Sequence, residues 1–165
     1  MPCEISPAGT LATVADYTRT ELIVPWLRER DPAGIIEELS QRLRAQAIIG
    51  DVLSFYQAVV NHEFLSSSAL PAGIATPHGR SAQVRRLTLA IGRTREPVVW
   101  GMKESLSVEY VFLLAVPSTD ASDYLFLLSG IAGFGHQPEM LAKLRTAADA
   151  RCIFGLLKEI NVRPG

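Results

Sequence analysis

Apolar residues recur at helical spacing in the first third of the chain. Between residues 35 and 43 they lie one, three or four positions apart, which predicts a helix with one buried face. Asp31 suits the N-cap of this helix because its carboxylate can accept the unpaired N–H groups of the first turn, and Pro32 suits the first helical position. A second stripe over residues 52–60 predicts a second helix, which we expect Asp51 to cap.

The middle of the chain has the pattern of β-strands. Residues 84–91 alternate between apolar and polar positions, and residues 73–77 and 97–100 are short extended stretches bounded by turn formers. Residues 108–116 are almost continuously apolar, which is typical of a central strand covered on both faces. Residues 21–25 are consistent with an edge strand or a turn.

The last third of the chain is helical again. Apolar stripes over residues 124–134 and 138–144 predict two helices, and Asp149 is placed to cap a third one. Two helices, several strands and then further helices predict a single α/β or α+β domain with its elements layered around one core.

We expect this domain to occupy residues 20–160, with residues 1–19 as an N-terminal tail and residues 161–165 as a C-terminal one. The 16 Lys and Arg residues are balanced by 17 Asp and Glu residues. Nucleic-acid-binding proteins usually carry a basic excess, so no nucleic-acid partner is expected. No apolar run reaches the ~18–20 residues of a membrane span. The N-terminus also lacks the regions of a signal peptide, and the sequence therefore predicts a soluble cytoplasmic protein without membrane insertion.

Neither the cysteines nor the histidines are grouped in a way that predicts a metal centre. Cys3 lies in the expected tail, and Cys152 lies in a helical pattern where we expect it to be buried and inert. The three histidines are isolated, without HxH or HExxH spacing. We therefore expect neither a metal nor a cofactor.

His78 is the histidine whose surroundings suggest chemistry. Pro77 fixes the backbone before it and Gly79 leaves room after it, so that a rigid turn between two predicted strands presents the imidazole. An imidazole with the usual pKa of about 6.5 is largely neutral at pH 7 and offers a nucleophilic nitrogen. A turn histidine without any function remains the alternative interpretation of this spacing.

The sequence around His78 resembles a known signature. Glu63, the serines at 66–68 and the string Gly-Ile-Ala-Thr-Pro-His at 73–78 resemble the enzyme IIA domains of phosphotransferase systems, of the fructose–mannitol and nitrogen-regulatory type. The similarity continues in the same order through the apolar strand at 108–117 and the Tyr-Leu-Phe-Leu-Leu-Ser string at 124–129. It extends to the end of the predicted domain.

The resemblance implies an α/β fold in which helices sandwich a mixed β-sheet, and it implies a role for His78. In this family the histidine after the proline accepts a phosphoryl group from phosphorylated HPr. Such a transfer requires mainly positioning and stabilisation of the charge on the moving group. Ser67 and Ser68 can supply neutral N–H and O–H donors to phosphate oxygens, and Arg80 can supply a cationic one. A plain loop and a solvated surface arginine remain the alternatives for these three residues.

Two positions depart from the family pattern. The family arginine that precedes Glu63 is His62 here, and the family's second histidine, which lies beside the phosphorylated one, is Tyr124. Tyr124 can donate one hydrogen bond but brings no positive charge, and His62 replaces an arginine only when it is protonated. We expect Tyr124 to converge with His78 and Ser68 on one shallow surface site. Glu63 either orients the N–H of His78 or His62, or is a surface carboxylate at a helix end.

These observations predict a phosphoryl carrier that takes phosphate from phospho-HPr on His78. It then either passes the phosphate on, for example to an enzyme IIB, or uses its phosphorylation state to signal to regulatory proteins. The Pro-His-Gly-Arg string, together with a chain that ends at Gly165 without an attached IIB or IIC sequence, resembles the nitrogen-regulatory branch. The alternative is a binding or regulatory module that keeps the fold but performs no productive transfer.

Overall fold

Two long strands from the middle of the chain organise the fold. The computed structural model describes residues 12–101 and 105–162. The strands are β1 (Ala12–Thr13), β2 (Ile23–Val24), β3 (Ala69–Leu70), β4 (Ile74–Ala75), β5 (His78–Ser81), β6 (Thr88–Trp100), β7 (Leu106–Pro117) and β8 (Asn161–Val162). The α-helices are α1 (Pro32–Ala45), α2 (Val52–Leu65), α3 (Asp123–Phe134), α4 (Pro138–Thr146) and α5 (Ala150–Leu157).

The main sheet is mixed. Its strands follow the order β2-β6-β7-β4-β3, and β5 pairs with β7 beyond the end of β4. Strands β6 and β7 are antiparallel, whereas β2 runs parallel to β6, and both β4 and β5 run parallel to β7. In this register His78 lies opposite Leu114, so the most buried strand of the sheet fixes the position of that histidine.

Helices cover both faces of this sheet, which confirms the predicted α/β sandwich. Along β7, Val111 and Leu113 face one core, to which α1 and α2 contribute their apolar stripes. Phe112 and Leu114 face the other core, which α3, α4 and α5 complete. Successive residues of a strand point to opposite faces, so the continuous apolar run seen in the sequence is what a doubly covered strand requires.

The predicted helix caps are confirmed. The carboxylate of Asp31 accepts a hydrogen bond from the Gly34 N–H (2.7 Å), and that of Asp51 accepts one from the Ser54 N–H (3.1 Å). Asp149 likewise accepts the Cys152 N–H (2.9 Å) at the start of α5. Of the stretch predicted at 84–91, only residues 88–91 are extended; they belong to the same strand, β6, as residues 97–100, and the pairing of β6 with β7 is irregular after Arg93. Residues 84–87 lie in the loop before β6, so the predicted start of this strand is wrong.

The predicted tail boundaries are wrong. Residues 12–17 form β1 and a short 3-10 helix, and Val14 is fully buried in the second core. Strand β1 pairs with β8, so Asn161 and Val162 are also part of the folded domain. Isolated two-residue strands carry no sequence period, and only their long-range pairing reveals them. The rest of both expected tails, including Cys3, lies outside the described residues.

Cys152 is exposed, so the expectation of a buried thiol is also wrong. In α5 the buried residues are Ile153 and Leu157, four positions apart, and they define the face that meets the sheet. Cys152 precedes this stripe and points away from it. Among the described residues, no helix is both long enough and apolar enough to cross a membrane.

Candidate functional site

His78 begins β5, directly beneath helix α2. The close approach of this helix depends on Gly79, where an added Cβ would lie 2.6 Å from Cγ2 of Val59 and 3.1 Å from Cε2 of Phe55. At such distances a side chain at residue 79 would force Val59, or the helix that carries it, to move. Because α2 lies this close, His62, one turn beyond Val59 on the same face, comes next to His78.

Three rings meet at this point. The centroid of the His62 ring lies 4.7 Å from that of His78, and the centroid of the Tyr124 ring lies 5.8 Å from that of His78. His62 is exposed at the end of α2, whereas Tyr124 is half-buried in the first turn of α3. The predicted convergence of His78 and Tyr124 is therefore confirmed, and His62 joins them.

The imidazole of His78 has one nitrogen engaged by the protein. Its Nδ1 lies 3.2 Å from the carbonyl oxygen of Thr76, which can only accept. Nδ1 therefore carries the hydrogen, and the lone pair of the neutral ring is on Nε2. Burial is the main cause that lowers the pKa of His78; the charges of His62 and Arg80 lower it further, against the hydrogen bond to Thr76 and the charge of Glu63. The ring is thus held neutral and nucleophilic at pH 7.

Glu63 has a different role from the one expected. Its Oε1 accepts hydrogen bonds from the Ser68 N–H (2.7 Å), the Ser68 hydroxyl (2.9 Å) and the indole Nε1 of Trp100 (2.6 Å). The Ser68 hydroxyl oxygen in turn accepts the Thr76 N–H (3.0 Å). Glu63 therefore orients the serine loop and, through Thr76, the carbonyl that fixes His78, and no bond from either imidazole to Glu63 is present among the described residues.

This network also corrects the expectation for Ser68. Both of its donors are taken by Glu63, so Ser68 holds the loop and offers no free hydrogen to a phosphate. Ser67 differs: it is exposed, and its hydroxyl oxygen accepts the Ala69 N–H (3.3 Å), which leaves the hydroxyl hydrogen for an incoming oxygen.

Trp100 was not identified as a site residue from the sequence. The available signal was a tryptophan in a buried strand, whose indole N–H needs an acceptor.

Arg80 is partly used by the protein. Its guanidinium donates to the carbonyls of Pro117 (3.2 Å) and Asp120, and it lies 5.3 Å from the centroid of the Tyr124 ring. The Asp120 carboxylate accepts the N–H groups of Asp123 (2.8 Å) and Tyr124 (3.2 Å) at the start of α3. Arg80 thus anchors the turn that places Tyr124, while its positive charge stays beside the site.

The site contains no grouping of metal ligands. Within residues 12–101 and 105–162, no three His, Cys, Asp or Glu side chains are arranged to hold a metal ion. The groups that the described residues bring together at the site are a neutral imidazole, two neighbouring rings, one hydroxyl and one partly engaged guanidinium.

Comparisons with known proteins relate this arrangement to one family. The model of the family described as "Phosphoenolpyruvate-dependent sugar phosphotransferase system, EIIA 2" matches residues 17–160. A nitrogen regulatory protein of Bradyrhizobium diazoefficiens is 25% identical over 144 residues, which are 87% of this chain and 94% of that protein. The crystal structure of the nitrogen regulatory protein IIA-Ntr from Neisseria meningitidis has 28% identity and a TM-score of 0.79, covering 87% of this chain and 98% of that one. Escherichia coli enzyme IIAMTL, solved in complex with phosphorylated enzyme IIBMTL, shares the fold at 16% identity and a TM-score of 0.71, over 85% of this chain and 97% of that one.

Proposed function

Since the chain belongs to the EIIA 2 family of phosphoenolpyruvate-dependent phosphotransferase systems, we propose that it is a phosphoryl carrier of the nitrogen-regulatory type that accepts phosphate from a phospho-HPr-like donor on Nε2 of His78. One observation carries this proposal. The Thr76 carbonyl holds Nδ1 of a half-buried His78, so the lone pair is on Nε2 of a ring whose neighbours are the rings of His62 and Tyr124.

The proposed step needs no proton transfer. The Nε2 lone pair of His78 attacks the phosphorus of the donor's phosphohistidine, an N–P bond forms at His78, and the donor's N–P bond breaks with its electron pair returning to the donor imidazole. The ring of His78 then carries the phosphoryl group on Nε2 and still has its hydrogen on Nδ1. The Thr76 carbonyl accepts that hydrogen throughout, so it orients the nucleophile before the step and stabilises the positive charge of the ring after it.

Three groups are placed to stabilise the moving phosphoryl group. Ser67 retains a hydroxyl hydrogen, His62 can add a positive charge when protonated, and the guanidinium of Arg80 lies 5.3 Å from the centroid of the Tyr124 ring. Phosphoryl transfer depends on such electrostatic stabilisation more than on covalent chemistry. Only one permanent cation is near the three rings in the described part of the chain, so we expect a slower transfer than an additional arginine would give.

The surface around the rings suits a protein as donor. Phe64 and Leu65 follow Glu63 at the end of α2 and are 67% and 84% exposed, and Leu125, next to Tyr124, is 50% exposed. Large exposed apolar side chains grouped around a reactive residue are typical of a protein–protein interface. We propose that HPr-like donors dock here, and that an enzyme IIB or a regulatory protein uses the same surface as acceptor, as an IIB protein pairs with the mannitol enzyme IIA.

The test is phosphorylation in a reconstituted system. The protein is incubated with phosphoenolpyruvate, enzyme I and HPr, and the transferred phosphate is mapped by mass spectrometry under alkaline conditions that preserve phosphohistidine. We expect one phosphate on the peptide that contains His78, and the same stoichiometry in a His136→Gln control, since His136 is exposed and outside the site. Labelled HPr together with an unlabelled protein would contradict the proposal.

A second function is favoured by the two departures at the site. His62 and Tyr124 stand where the family supplies an arginine and a histidine, and part of the guanidinium of Arg80 is engaged by main-chain carbonyls. A site with so little fixed positive charge is also what a binding module that no longer transfers phosphate would have. This function predicts that phospho-HPr binds, detected as shifts of backbone resonances near Leu65 and Leu125, while no phosphate is transferred.

A further inference from the structure

A cavity of about 620 Å³ opens on a different part of the surface from the three rings. It lies between the loop that joins β5 to β6 and the linker that joins α1 to α2, and none of the three ring residues lines it. A neighbouring cavity of about 580 Å³ shares Asp16, Tyr17 and residues 85–87 with it. We call the first cavity the arginine cavity. Its size is within the range that holds small organic ligands.

Three arginines line the arginine cavity: Arg19, Arg85 and Arg86. All three side chains are exposed, and within residues 12–101 and 105–162 none of them forms a salt bridge or donates a side-chain hydrogen bond. The acidic side chain in the lining, Asp16, is engaged by the Thr13 N–H (2.8 Å). The cavity therefore carries a local positive charge in a chain whose formal net charge is −1.

The frame of the cavity is fixed before any ligand arrives. The side-chain oxygen of Gln83 accepts the N–H groups of Gly50 (2.8 Å) and Asp51 (2.6 Å), and its Nε2 donates to the Asp51 carbonyl (3.3 Å). These bonds join the arginine-bearing loop to the opposite linker. Because these hydrogen bonds already order the rim, less conformational entropy is lost when a ligand binds.

The remaining lining gives the cavity a partly apolar interior. Leu22 is fully buried behind it, and Ile48 and Leu87 are partly buried. Burial, followed by the nearby aspartates 123, 16 and 120, raises the pKa of Tyr17. Its phenol therefore stays protonated and presents a neutral donor and a ring face to the same space.

We propose that the arginine cavity binds a small organic phosphate, in which the phosphate groups pair with Arg19, Arg85 and Arg86 and a planar or apolar part lies against Tyr17, Ile48 and Leu87. Guanidinium groups pair with phosphate oxygens through two parallel hydrogen bonds, which favours phosphate over a diffuse negative charge. The neighbouring cavity is lined in addition by Asp120 and Asp123, whose negative charges oppose an anion. The phosphate is therefore assigned to the arginine cavity. This site is independent of phosphoryl transfer at His78.

Isothermal titration calorimetry at low ionic strength, with ADP and inorganic pyrophosphate as probes, tests the proposal. We expect ADP to bind more tightly than pyrophosphate, because pyrophosphate has the charge without the ring. The double variant Arg85→Ala/Arg86→Ala should weaken ADP binding by more than about tenfold, as the loss of charged hydrogen bonds predicts. The control Arg151→Ala removes an exposed arginine of α5 outside the cavity and should bind ADP like the unmodified protein.

Three results would overturn the proposal. The first is no binding of ADP to the unmodified protein at millimolar concentration. The second is equal affinity for ADP and pyrophosphate, which would show that the organic part of the ligand contributes nothing to binding. The third is ADP binding that survives Arg85→Ala/Arg86→Ala and is lost in His78→Gln, which places the phosphate at the three rings. Circular dichroism and a thermal melt of each variant confirm that its fold is intact.

Discussion

Arg93 and His78 show how differently the same molecule holds a structural polar group and the proposed phosphoryl acceptor. Arg93 is almost fully buried, and its guanidinium donates to the carbonyls of Pro25 (2.9 Å), Leu144 (2.7 Å), Arg145 (3.0 Å) and Ala147 (2.8 Å). It therefore ties the C-terminal end of α4 to the sheet. His78, by contrast, has one ring nitrogen held by a carbonyl and the other without a partner among the described residues.

Arg93 and His78 differ in how many of their polar atoms have hydrogen-bond partners. A buried charge is tolerated when its donors find acceptors, and four of the five N–H groups of Arg93 donate to carbonyls, with the Trp26 ring 4.0 Å from the guanidinium. A nucleophile must keep one lone pair available, and the protein fixes His78 only as far as its tautomer requires. Arg80 is intermediate, because carbonyls engage part of its fork while its charge remains beside the rings.

The largest effect is expected at His78. His78→Gln removes the nucleophilic nitrogen, and we expect phosphate transfer from phospho-HPr to fall below detection while the thermal melt changes little. His62→Gln keeps the nucleophile and should only slow the transfer. Radiolabelling followed by alkaline gel electrophoresis measures both variants, and acid-labile label that persists in His78→Gln would assign the acceptor to another residue.

Arg93→Met should have the next largest effect, and on stability alone. The variant leaves four carbonyls without their donor, each worth about 1–3 kcal/mol when buried and unsatisfied. We expect the free energy of unfolding in urea to fall by at least about 3 kcal/mol. The matched control is Arg95→Met, whose side chain is exposed and makes one hydrogen bond, to the Leu27 carbonyl, and which should cost less than about 1 kcal/mol. If both variants lose the same free energy of unfolding, the buried hydrogen bonds of Arg93 do not have the structural role that distinguishes it from His78.

Restoring positive charge at the rings should accelerate transfer. Tyr124→His, alone or together with His62→Arg, adds a donor that can stabilise the phosphoryl group, and we expect about a ten- to hundredfold rise in the rate of phosphohistidine formation. Rapid-quench measurements on the four proteins give the rates. An unmodified protein that is already as fast as the double variant would show that its fixed charge is sufficient.

The smallest effect concerns pH. Burial lowers the pKa of His78 in the folded state below the usual value of about 6.5 that applies to the unfolded chain. Between these two pKa values the unfolded state binds more protons, so this group's contribution to stability is complete above about pH 6.5 and is lost as the pH falls towards the folded pKa. The free energy of unfolding in urea should therefore fall less between pH 7 and pH 5 in His78→Gln than in the unmodified protein. If the free energy of unfolding depends on pH equally in the two proteins, the pKa of His78 is not lowered.

The features that were predictable from the sequence depend on short-range patterns. The caps at Asp31, Asp51 and Asp149, the central strand and the neighbourhood of His78 follow from residues a few positions apart or from the resemblance to a known signature. The fold class followed from the same resemblance. These signals are local, and the structure confirms the three caps, the central strand and the approach of Tyr124 to His78, whereas the expected roles of Glu63 and Ser68 are not observed.

The features that were missed depend on partners distant in the chain. The bond between Glu63 and Trp100 joins residues 37 positions apart, and the bonds from Arg93 to α4 span more than 50 positions. The pairing of β1 with β8 joins the two ends of the described chain. A carboxylate or a guanidinium looks the same in a sequence whether it is solvated or buried, so only the folded structure distinguishes Glu63 from a surface residue.

We propose that Nε2 of His78 accepts the phosphoryl group, and ¹⁵N-detected NMR of the ring nitrogens after phosphorylation distinguishes this atom from every other histidine nitrogen. In protein labelled with ¹⁵N-histidine, we expect Nδ1 of His78 to carry the hydrogen before the reaction and Nε2 to carry none. After incubation with phosphoenolpyruvate, enzyme I and HPr, Nε2 of His78 should show the coupling to phosphorus, and His62 and His136 should show none. Phosphorus on Nδ1 of His78, or on another histidine, would show that Nε2 of His78 is not the acceptor.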